Sequence, residues 1–187
     1  MKIIVAITGG SGMIYARQCI DALLASEQVE QIALIVSATA EQVLLHEGVS
    51  LPADERITRF DNDNMFSSVA SGSASWDTMI IVPASMGTVG RIAAGVSLSL
   101  IERAADVMLK ERRRLILMVR EAPYSLIHLR NMITLTEAGG VVIPASPSFY
   151  SHPEDIEQLT ATITERIIAL SGISAAHYEF DGKEVKK

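Results

Sequence analysis

The sequence predicts an α/β protein in which a doubly wound parallel sheet lies between two layers of helices, a three-layer αβα sandwich. Five short apolar runs rich in Ile and Val recur along the 187-residue chain. None of them alternates with polar residues, which is typical of strands covered on both faces, as in a parallel sheet. Stretches with apolar residues at helical spacing separate these runs. This alternation of strand and helix favours the doubly wound sandwich.

Strands and helices alternate from the first residues to the last helix. The predicted strands cover residues 3–7, 32–36, 79–82, 115–119 and 141–143, and the predicted helices cover about 13–25, 38–47, 87–96, 99–109, 125–138 and 153–170. The last helix is expected to begin at Pro153, because proline suits the first helical position and two acidic residues follow it. Residues 48–75 are polar and rich in turn formers, so we expect loops there with one short helix. We expect a single domain over residues 1–175 and a polar tail over residues 176–187.

Composition narrows the class of protein. An apolar fraction of 49% is ample for a core and excludes a disordered chain. Cys19 is the only cysteine, which excludes a disulfide scaffold and is typical of a reducing cytoplasm. The longest apolar runs span about six residues, too short to cross a bilayer, and the net charge of −6 argues against a nucleic-acid binder. We therefore expect a soluble cytoplasmic protein with no membrane insertion and no nucleic-acid partner.

Positive charge is concentrated in one part of the chain. Residues 100–130 hold seven basic and four acidic residues, a local charge of +3, whereas the rest of the chain carries −9. A cationic stretch on an acidic protein suggests a site for a small anion. Charges at the end of a helix, as at Arg112 to Arg114, would give the same pattern without any ligand. Arg120 and Glu121 are stronger candidates, because they end a predicted buried strand.

The ligand of a doubly wound sheet binds beyond the carboxyl ends of the strands. Residues Gly9 to Gly12 follow the first predicted strand and open the first helix. Such a turn suits a phosphate, because backbone amides and the helix dipole attract an anion. Tyr15 stands where a dinucleotide fingerprint needs its third glycine, and Ser37 stands where an acid would hold a ribose. The turn therefore favours a mononucleotide or another phosphate ligand, and a tight turn without ligand is the alternative.

Two other kinds of site have little support in the sequence. A hydrolase nucleophile at Ser11 would need a glycine at position 13, where Met13 stands. The four histidines are scattered and show no paired ligand spacing, so we expect no metal site.

Several blocks of the sequence, taken together, resemble the UbiX family of flavin prenyltransferases, formerly described as aromatic-acid decarboxylases or their small subunits. The blocks occur in the family's order and extend over roughly residues 2–172. The most specific are Arg103-Ala104-Ala105-Asp106-Val107 with Leu109-Lys110-Glu111-Arg112-Arg113, and Arg120-Glu121-Ala122-Pro123. The others are Gly9-Gly10-Ser11-Gly12, Ser71-Gly72-Ser73, Pro83-Ala84-Ser85-Met86-Gly87-Thr88 and Phe149-Tyr150.

This resemblance implies a flavodoxin-like or Rossmann-like fold and a definite activity. The family transfers the dimethylallyl group from dimethylallyl phosphate to N5 and C6 of reduced FMN without a metal. A UbiD-type decarboxylase then uses the prenylated FMN. The resemblance also implies a homo-oligomer, commonly a dodecamer, with its sites at subunit junctions.

The same resemblance implies roles for individual residues. FMN would contact Gly9, Gly10, Ser11, Ser37, Ser85, Met86, Gly87, Thr88 and Arg120, and the allylic phosphate would contact Arg103, Lys110, Tyr150 and Arg166. Cationic donors would stabilise the leaving phosphate as its C–O bond breaks. The residues expected to act in catalysis are Ser11, Glu47, Lys110 and Glu121. Ser11 and the two glutamates are the candidates for proton transfer.

One family feature is missing, and two other functions stay open. The family's C-terminal tryptophan has no counterpart after Ile173, and Tyr178 or Phe180 would have to replace it. The aromatic residues expected beside the flavin are Trp76 and Tyr150. One alternative is an FMN-dependent cysteine decarboxylase of the same fold, which the absence of a Pro-x-Met-Asn motif disfavours. The other is a non-catalytic flavin carrier for a decarboxylase, in which the phosphate-binding residues would be dispensable.

Overall fold

The computed structural model describes residues 1–174, in which strands and helices alternate along the chain. The strands are β1 (Lys2–Ile7), β2 (Gln31–Val36), β3 (Ile57–Phe60), β4 (Thr78–Ala84), β5 (Arg114–Val119) and β6 (Val141–Pro144). The helices are α1 (Met13–Leu24), α2 (Ala38–Glu47), α3 (Met86–Ala93), α4 (Leu100–Lys110), α5 (Leu126–Glu137) and α6 (Ile156–Ser171), with a short 3-10 helix at Ser68–Ala70. The tail from residue 176 onward, with Tyr178 and Phe180, lies outside the described residues.

The strands form one parallel sheet in the order β3-β2-β1-β4-β5-β6. Alternate side chains of β1 enter the two helical layers: Ile3, Val5 and Ile7 pack with α1, α2 and α6, whereas Ile4 and Ala6 pack with α3, α4 and α5. Both faces of the strand are therefore covered, which is why its sequence reads as one continuous apolar run. The predicted doubly wound α/β fold is confirmed.

The predicted loop segment 48–75 is wrong in one respect, because it contains the strand β3. Thr58 and Arg59 of this strand are exposed, and only its first and last residues are partly buried. An edge strand with so little apolar surface lacks the pattern of a buried strand. With five strands the sheet would have the flavodoxin-like order, and β3 turns it into the Rossmann-like order 3-2-1-4-5-6. The short helix expected in this segment is confirmed at Ser68–Ala70.

The start of the last helix also differs from the prediction. Helix α6 begins at Ile156 rather than at Pro153. The carboxylate of Asp155 accepts a hydrogen bond from the backbone N–H of Gln158 at 2.7 Å. Asp155 therefore caps the helix from outside its first turn, and capping by an aspartate decides the boundary more strongly than a proline two residues earlier.

Candidate active site

The crevice of this sheet opens between β1 and β4, where the chain leaves neighbouring strands toward opposite helical layers. A buried hydroxyl joins the two strand ends there. Thr8 Oγ1 donates to the carbonyl of Pro83 at 2.8 Å and accepts from the backbone N–H of Ser85 at 2.7 Å. Thr8 therefore fixes the loop after β1 against the start of α3. Thr8 was given no role from the sequence, although its hydroxyl directly follows the first predicted strand.

The glycine turn brings the backbone after β1 close to the start of α2. A Cβ on Gly9 would lie 2.5 Å from Cγ2 of Thr39, a distance that side chains do not tolerate. Gly12, which precedes α1, has φ of 98°, in the left-handed region that favours glycine. Both positions therefore require glycine for the turn to keep its shape.

The first turn of α1 is already occupied by an anion from its own chain. Glu47, the last residue of α2, accepts hydrogen bonds from the backbone N–H of Gly12 at 2.9 Å and of Met13 at 2.7 Å. The carboxylate thus occupies the backbone N–H groups at the start of α1, where a ligand phosphate was expected from the sequence. The expectation that the glycine turn presents free amides at the start of α1 is wrong.

The contacts of Glu47 determine its charge. Burial raises the pKa of this carboxyl, but hydrogen bonds from Gly12, Met13 and the Ser11 side chain, together with the charge of Arg120, outweigh it and hold the pKa below the ordinary value. Glu47 is therefore a carboxylate at neutral pH. It can accept a proton, but protonation would weaken the contacts that hold α1. The same interactions show that Ser11, Glu47 and Arg120 lie near one another.

Serines cap the two other helices that begin at the crevice. Ser37 Oγ accepts from the backbone N–H of Ala40 at 3.2 Å at the start of α2. Ser85 Oγ accepts from the backbone N–H of Thr88 at 3.4 Å at the start of α3. Met86 and Thr88 are buried, whereas Gly87 is exposed. The residues expected around FMN therefore converge at the carboxyl edge, on the loops after β1, β2, β4 and β5.

The ends of β5 and β6 complete this edge. Arg120 is exposed, and Glu121 is partly buried with Oε1 accepting from the backbone N–H of Ala122 at 3.0 Å. Tyr150 is 70% exposed on the loop after β6. The backbone N–H of Ser148 donates to Thr162 Oγ1 at 3.0 Å, which fastens this loop to α6 one turn before the exposed Arg166. This contact places the loop that carries Tyr150 against α6, the helix that carries Arg166.

Arg103 and Lys110 do not join this group within one chain. Arg103 Nε donates to the carbonyl of Ala70 at 3.2 Å. Lys110 ends α4, pairs with Glu111 and lies beside Gly72. The next residues lead into the amino end of β5, so Lys110 lies at the opposite edge of the sheet from Arg120.

Trp76 does not lie at the crevice of its own chain either. Trp76 is 5% exposed and precedes β4, so it lies in the core near the amino edge of the sheet and away from the crevice.

Within residues 1–174, the His, Cys, Asp and Glu side chains form no group of three or more that could hold a metal ion. None of the helices described is long and apolar enough to cross a membrane.

Known flavoproteins are similar to this chain over nearly its whole length. The family model described as Flavoprotein matches residues 1–168. The flavin prenyltransferase UbiX of Methanocaldococcus jannaschii is 39% identical over 176 residues, which cover 92% of this chain and 94% of the relative. The crystal structure of AnUbiX (PadA1) in complex with FMN and dimethylallyl pyrophosphate has a TM-score of 0.91 and 38% identity, with 98% of each chain covered. The dodecameric FMN-dependent UbiX-like decarboxylase from Escherichia coli O157:H7 has a TM-score of 0.89 and 33% identity, covering 97% of this chain and 100% of that chain.

Proposed function

Because the chain belongs to the UbiX family of flavoproteins, the flavin prenyltransferases, we propose that it transfers the dimethylallyl group of dimethylallyl phosphate to N5 and C6 of reduced FMN. The observation that carries this function is the likeness to AnUbiX, a structure with FMN and an allylic substrate, over 98% of both chains. The crevice between β1 and β4 offers the place for the flavin.

The residues at the crevice are of the kinds that can hold a flavin mononucleotide. Gly9 packs closely against Thr39, which brings the glycine turn beside the start of α2. Since Glu47 occupies the first turn of α1, we place the FMN phosphate against the starts of α2 and α3, at Ser37 and Ser85. Arg120 supplies a positive charge at the same edge. Repulsion from the Glu47 carboxylate keeps a phosphate away from α1.

The reaction needs a cationic site for the leaving phosphate. Reduced FMN supplies the electron-rich N5 and C6 that take up the allyl group. Lys110, Arg103 and Arg166 donate charge-assisted hydrogen bonds to the phosphate, and the Tyr150 hydroxyl adds another. These donors stabilise negative charge as it develops on the phosphate oxygen, which is electrostatic catalysis without a metal. Closing the new ring would deliver one proton to the allyl double bond and release one from C6. Glu121, Ser11 and Glu47 lie at the crevice and would carry out these proton transfers.

This site is completed by a second copy of the chain. Lys110 lies at the amino edge of its own sheet, and the crevice lies at the carboxyl edge. Large apolar side chains are exposed on the surface, as a subunit interface requires. They are Leu126, Ile127 and Ile133 on α5, and Phe66 in a groove that Arg103 also lines. The dodecameric relative supports an assembly of this kind, and we propose that twelve copies of the chain form it.

Other parts of the proposal follow from the same function. The product is passed to a UbiD-type decarboxylase, and the enzyme acts in the cytoplasm, where its single cysteine needs no disulfide partner. Residues 1–175 form one domain, supported by the single sheet and by the family match over residues 1–168. A cysteine decarboxylase or a non-catalytic carrier would have no use for an allylic-phosphate site.

An anaerobic reaction tests the function directly. The assembled protein is incubated with reduced FMN and dimethylallyl phosphate or diphosphate, and the flavin is weighed by mass spectrometry. We expect the flavin to gain one dimethylallyl group in place of one hydrogen, with Lys110→Ala reducing turnover while FMN still binds. Lys2→Ala, at the start of β1, is the matched lysine control. A flavin of unchanged mass with both donors would refute the transferase and leave the carrier.

Mixed assemblies test the composite site. Lys110→Ala and Tyr150→Phe variants are co-assembled, so that some sites combine the intact Tyr150 of one copy with the intact Lys110 of another. Random mixing would restore about a quarter of the sites. Mixing Lys110→Ala with Arg103→Ala is the control and stays inactive, because both residues lie on the same α4. If the Lys110 and Tyr150 variants also stay inactive together, each site takes both residues from one chain.

A further inference from the structure

A buried glutamate fixes an arginine beside the start of α3. Glu102 is 3% exposed, and its carboxylate accepts from Arg91 Nε and from the backbone N–H groups of Leu98 at 2.8 Å and Ser99 at 3.1 Å. Three N–H donors on one carboxylate leave it little freedom to move. This ion pair holds Nε of Arg91 against α4, while 46% of the Arg91 side chain stays exposed to solvent.

The other end of the guanidinium reaches toward the crevice. Arg91 Nη2 donates to Thr88 Oγ1 at 3.4 Å, and a Cβ at Gly87 would lie 3.3 Å from Arg91 Nη1. The absence of a side chain at Gly87 therefore leaves room for the guanidinium along the first turn of α3. Thr88 is itself buried, so its hydroxyl has few possible partners.

The hydroxyls of Thr88 and Ser85 continue this chain of hydrogen bonds. Ser85 Oγ lies 3.1 Å from Thr88 Oγ1 and also accepts from the backbone N–H of Thr88. Thr88 Oγ1 accepts from the guanidinium and can donate its own proton to Ser85 Oγ. In that arrangement Ser85 accepts twice within the protein and has its own proton left to donate outward.

We propose that the Arg91–Glu102 pair positions the hydroxyls of Thr88 and Ser85 so that Ser85 donates a hydrogen bond to an acceptor oxygen of FMN in the crevice. This inference rests on the proposed function, which places FMN against the start of α3. Arg91, Glu102 and Thr88 act here as positioning residues through Ser85. Thr8 supports the same geometry, because its hydroxyl fixes the backbone N–H of Ser85.

A double-mutant cycle on FMN binding tests the proposal. FMN is titrated into the assembled wild-type protein and into Ser85→Ala, Arg91→Met and the double variant, and the dissociation constants are compared. Loss of one hydrogen bond to a charged oxygen corresponds to about a tenfold weaker affinity. We expect about a tenfold loss for Ser85→Ala and about a threefold to tenfold loss for Arg91→Met. The double variant should bind no more weakly than Ser85→Ala.

Two further variants separate positioning from mere support of the fold. Arg91→Lys keeps a positive charge beside Glu102 but lacks the second guanidinium nitrogen that contacts Thr88. This variant should therefore bind FMN as weakly as Arg91→Met, while its unfolding midpoint stays near that of the wild type. Arg17→Met is the control. Arg17 on α1 also forms an ion pair with a glutamate of another helix, Glu157 on α6, but both helices lie in the opposite layer. The FMN affinity of Arg17→Met should therefore match that of the wild type. Additive losses in the cycle, or normal affinity of Arg91→Lys, would overturn the inference alone. Failure of the wild type to bind FMN would overturn the proposed function and this inference together.

Discussion

Replacing Glu47 with glutamine removes the negative charge from the start of α1 and keeps the size of the side chain. The wild-type carboxylate accepts from the backbone N–H groups of Gly12 and Met13, at distances of 2.7–3.2 Å. A glutamine has one acceptor oxygen, and its amide N–H₂ group faces the second backbone N–H as another donor. One charge-assisted hydrogen bond becomes neutral and the other is lost.

The size of the effect follows from these two bonds. A hydrogen bond to a charged group contributes about 1.5–3 kcal/mol and a neutral one about 0.5–1.5 kcal/mol. Because Glu47 is only partly buried, solvent compensates part of the loss, and we expect the free energy of unfolding to fall by about 2 kcal/mol. For a domain of this size that corresponds to a midpoint lower by about 4–8 °C.

The dependence on pH identifies the cause. The folded-state pKa of Glu47 lies below its unfolded value, so its contribution is fully present above about pH 5 and is lost as the pH falls through the folded pKa. We therefore expect the difference between wild type and Glu47→Gln to be constant from pH 7 to about pH 5 and to shrink below about pH 4. The measurement is urea unfolding at a fixed protein concentration, because subunit association also stabilises the fold.

A matched substitution shows whether the effect belongs to this site. Glu27 is exposed in the turn after α1, and Glu27→Gln should leave the midpoint unchanged at every pH. Equal stability of Glu47→Gln and wild type at pH 7, or a difference that persists unchanged below pH 4, would refute the assignment of Glu47 as the anion that caps α1.

Two further predictions concern the crevice and the core. Gly9→Ala places a Cβ 2.5 Å from Thr39 and should destabilise the fold by about 1–3 kcal/mol while weakening FMN binding, as urea unfolding and FMN titration would show; unchanged unfolding would mean that Thr39 gives way freely. Cys19 is buried, and burial raises the pKa of its thiol to about 12, so iodoacetamide at pH 8 should alkylate it only after unfolding; rapid labelling of the native protein, detected by mass spectrometry, would show that α1 opens locally.

The sequence predicts the central strands well because burial on both faces leaves a local signal. The apolar run after Lys2 becomes β1, and each of the other four runs becomes a strand within a few residues. The edge strand β3 has no such signal, since its two middle residues face solvent. Patterns of burial in the sequence thus predict strands that are covered, and an exposed edge must be found from the structure.

Contacts between distant residues limit what can be predicted of the site. The glycine turn and the serines that cap α2 and α3 follow from local rules and were singled out from the sequence. The contact of Glu47 with Gly12 joins residues 35 positions apart, and no spacing rule predicts it. The resemblance to the family assigned Glu47 to the site, but only the structure shows that its carboxylate occupies the amides expected to hold a phosphate.

The cationic stretch between residues 100 and 130 has a similar physical explanation. Lys110 precedes β5 and Arg120 follows it, and a strand of six residues spans about 20 Å. Charges that lie close together in the sequence therefore lie at opposite edges of one sheet, and a small phosphate cannot contact both within one chain. If Lys110 and Arg120 belong to one active site, the amino edge of one copy must face the carboxyl edge of another. The local charge of +3 is then divided between two parts of each subunit, one around Lys110 and one around Arg120. Each part contributes to a different active site of the assembly.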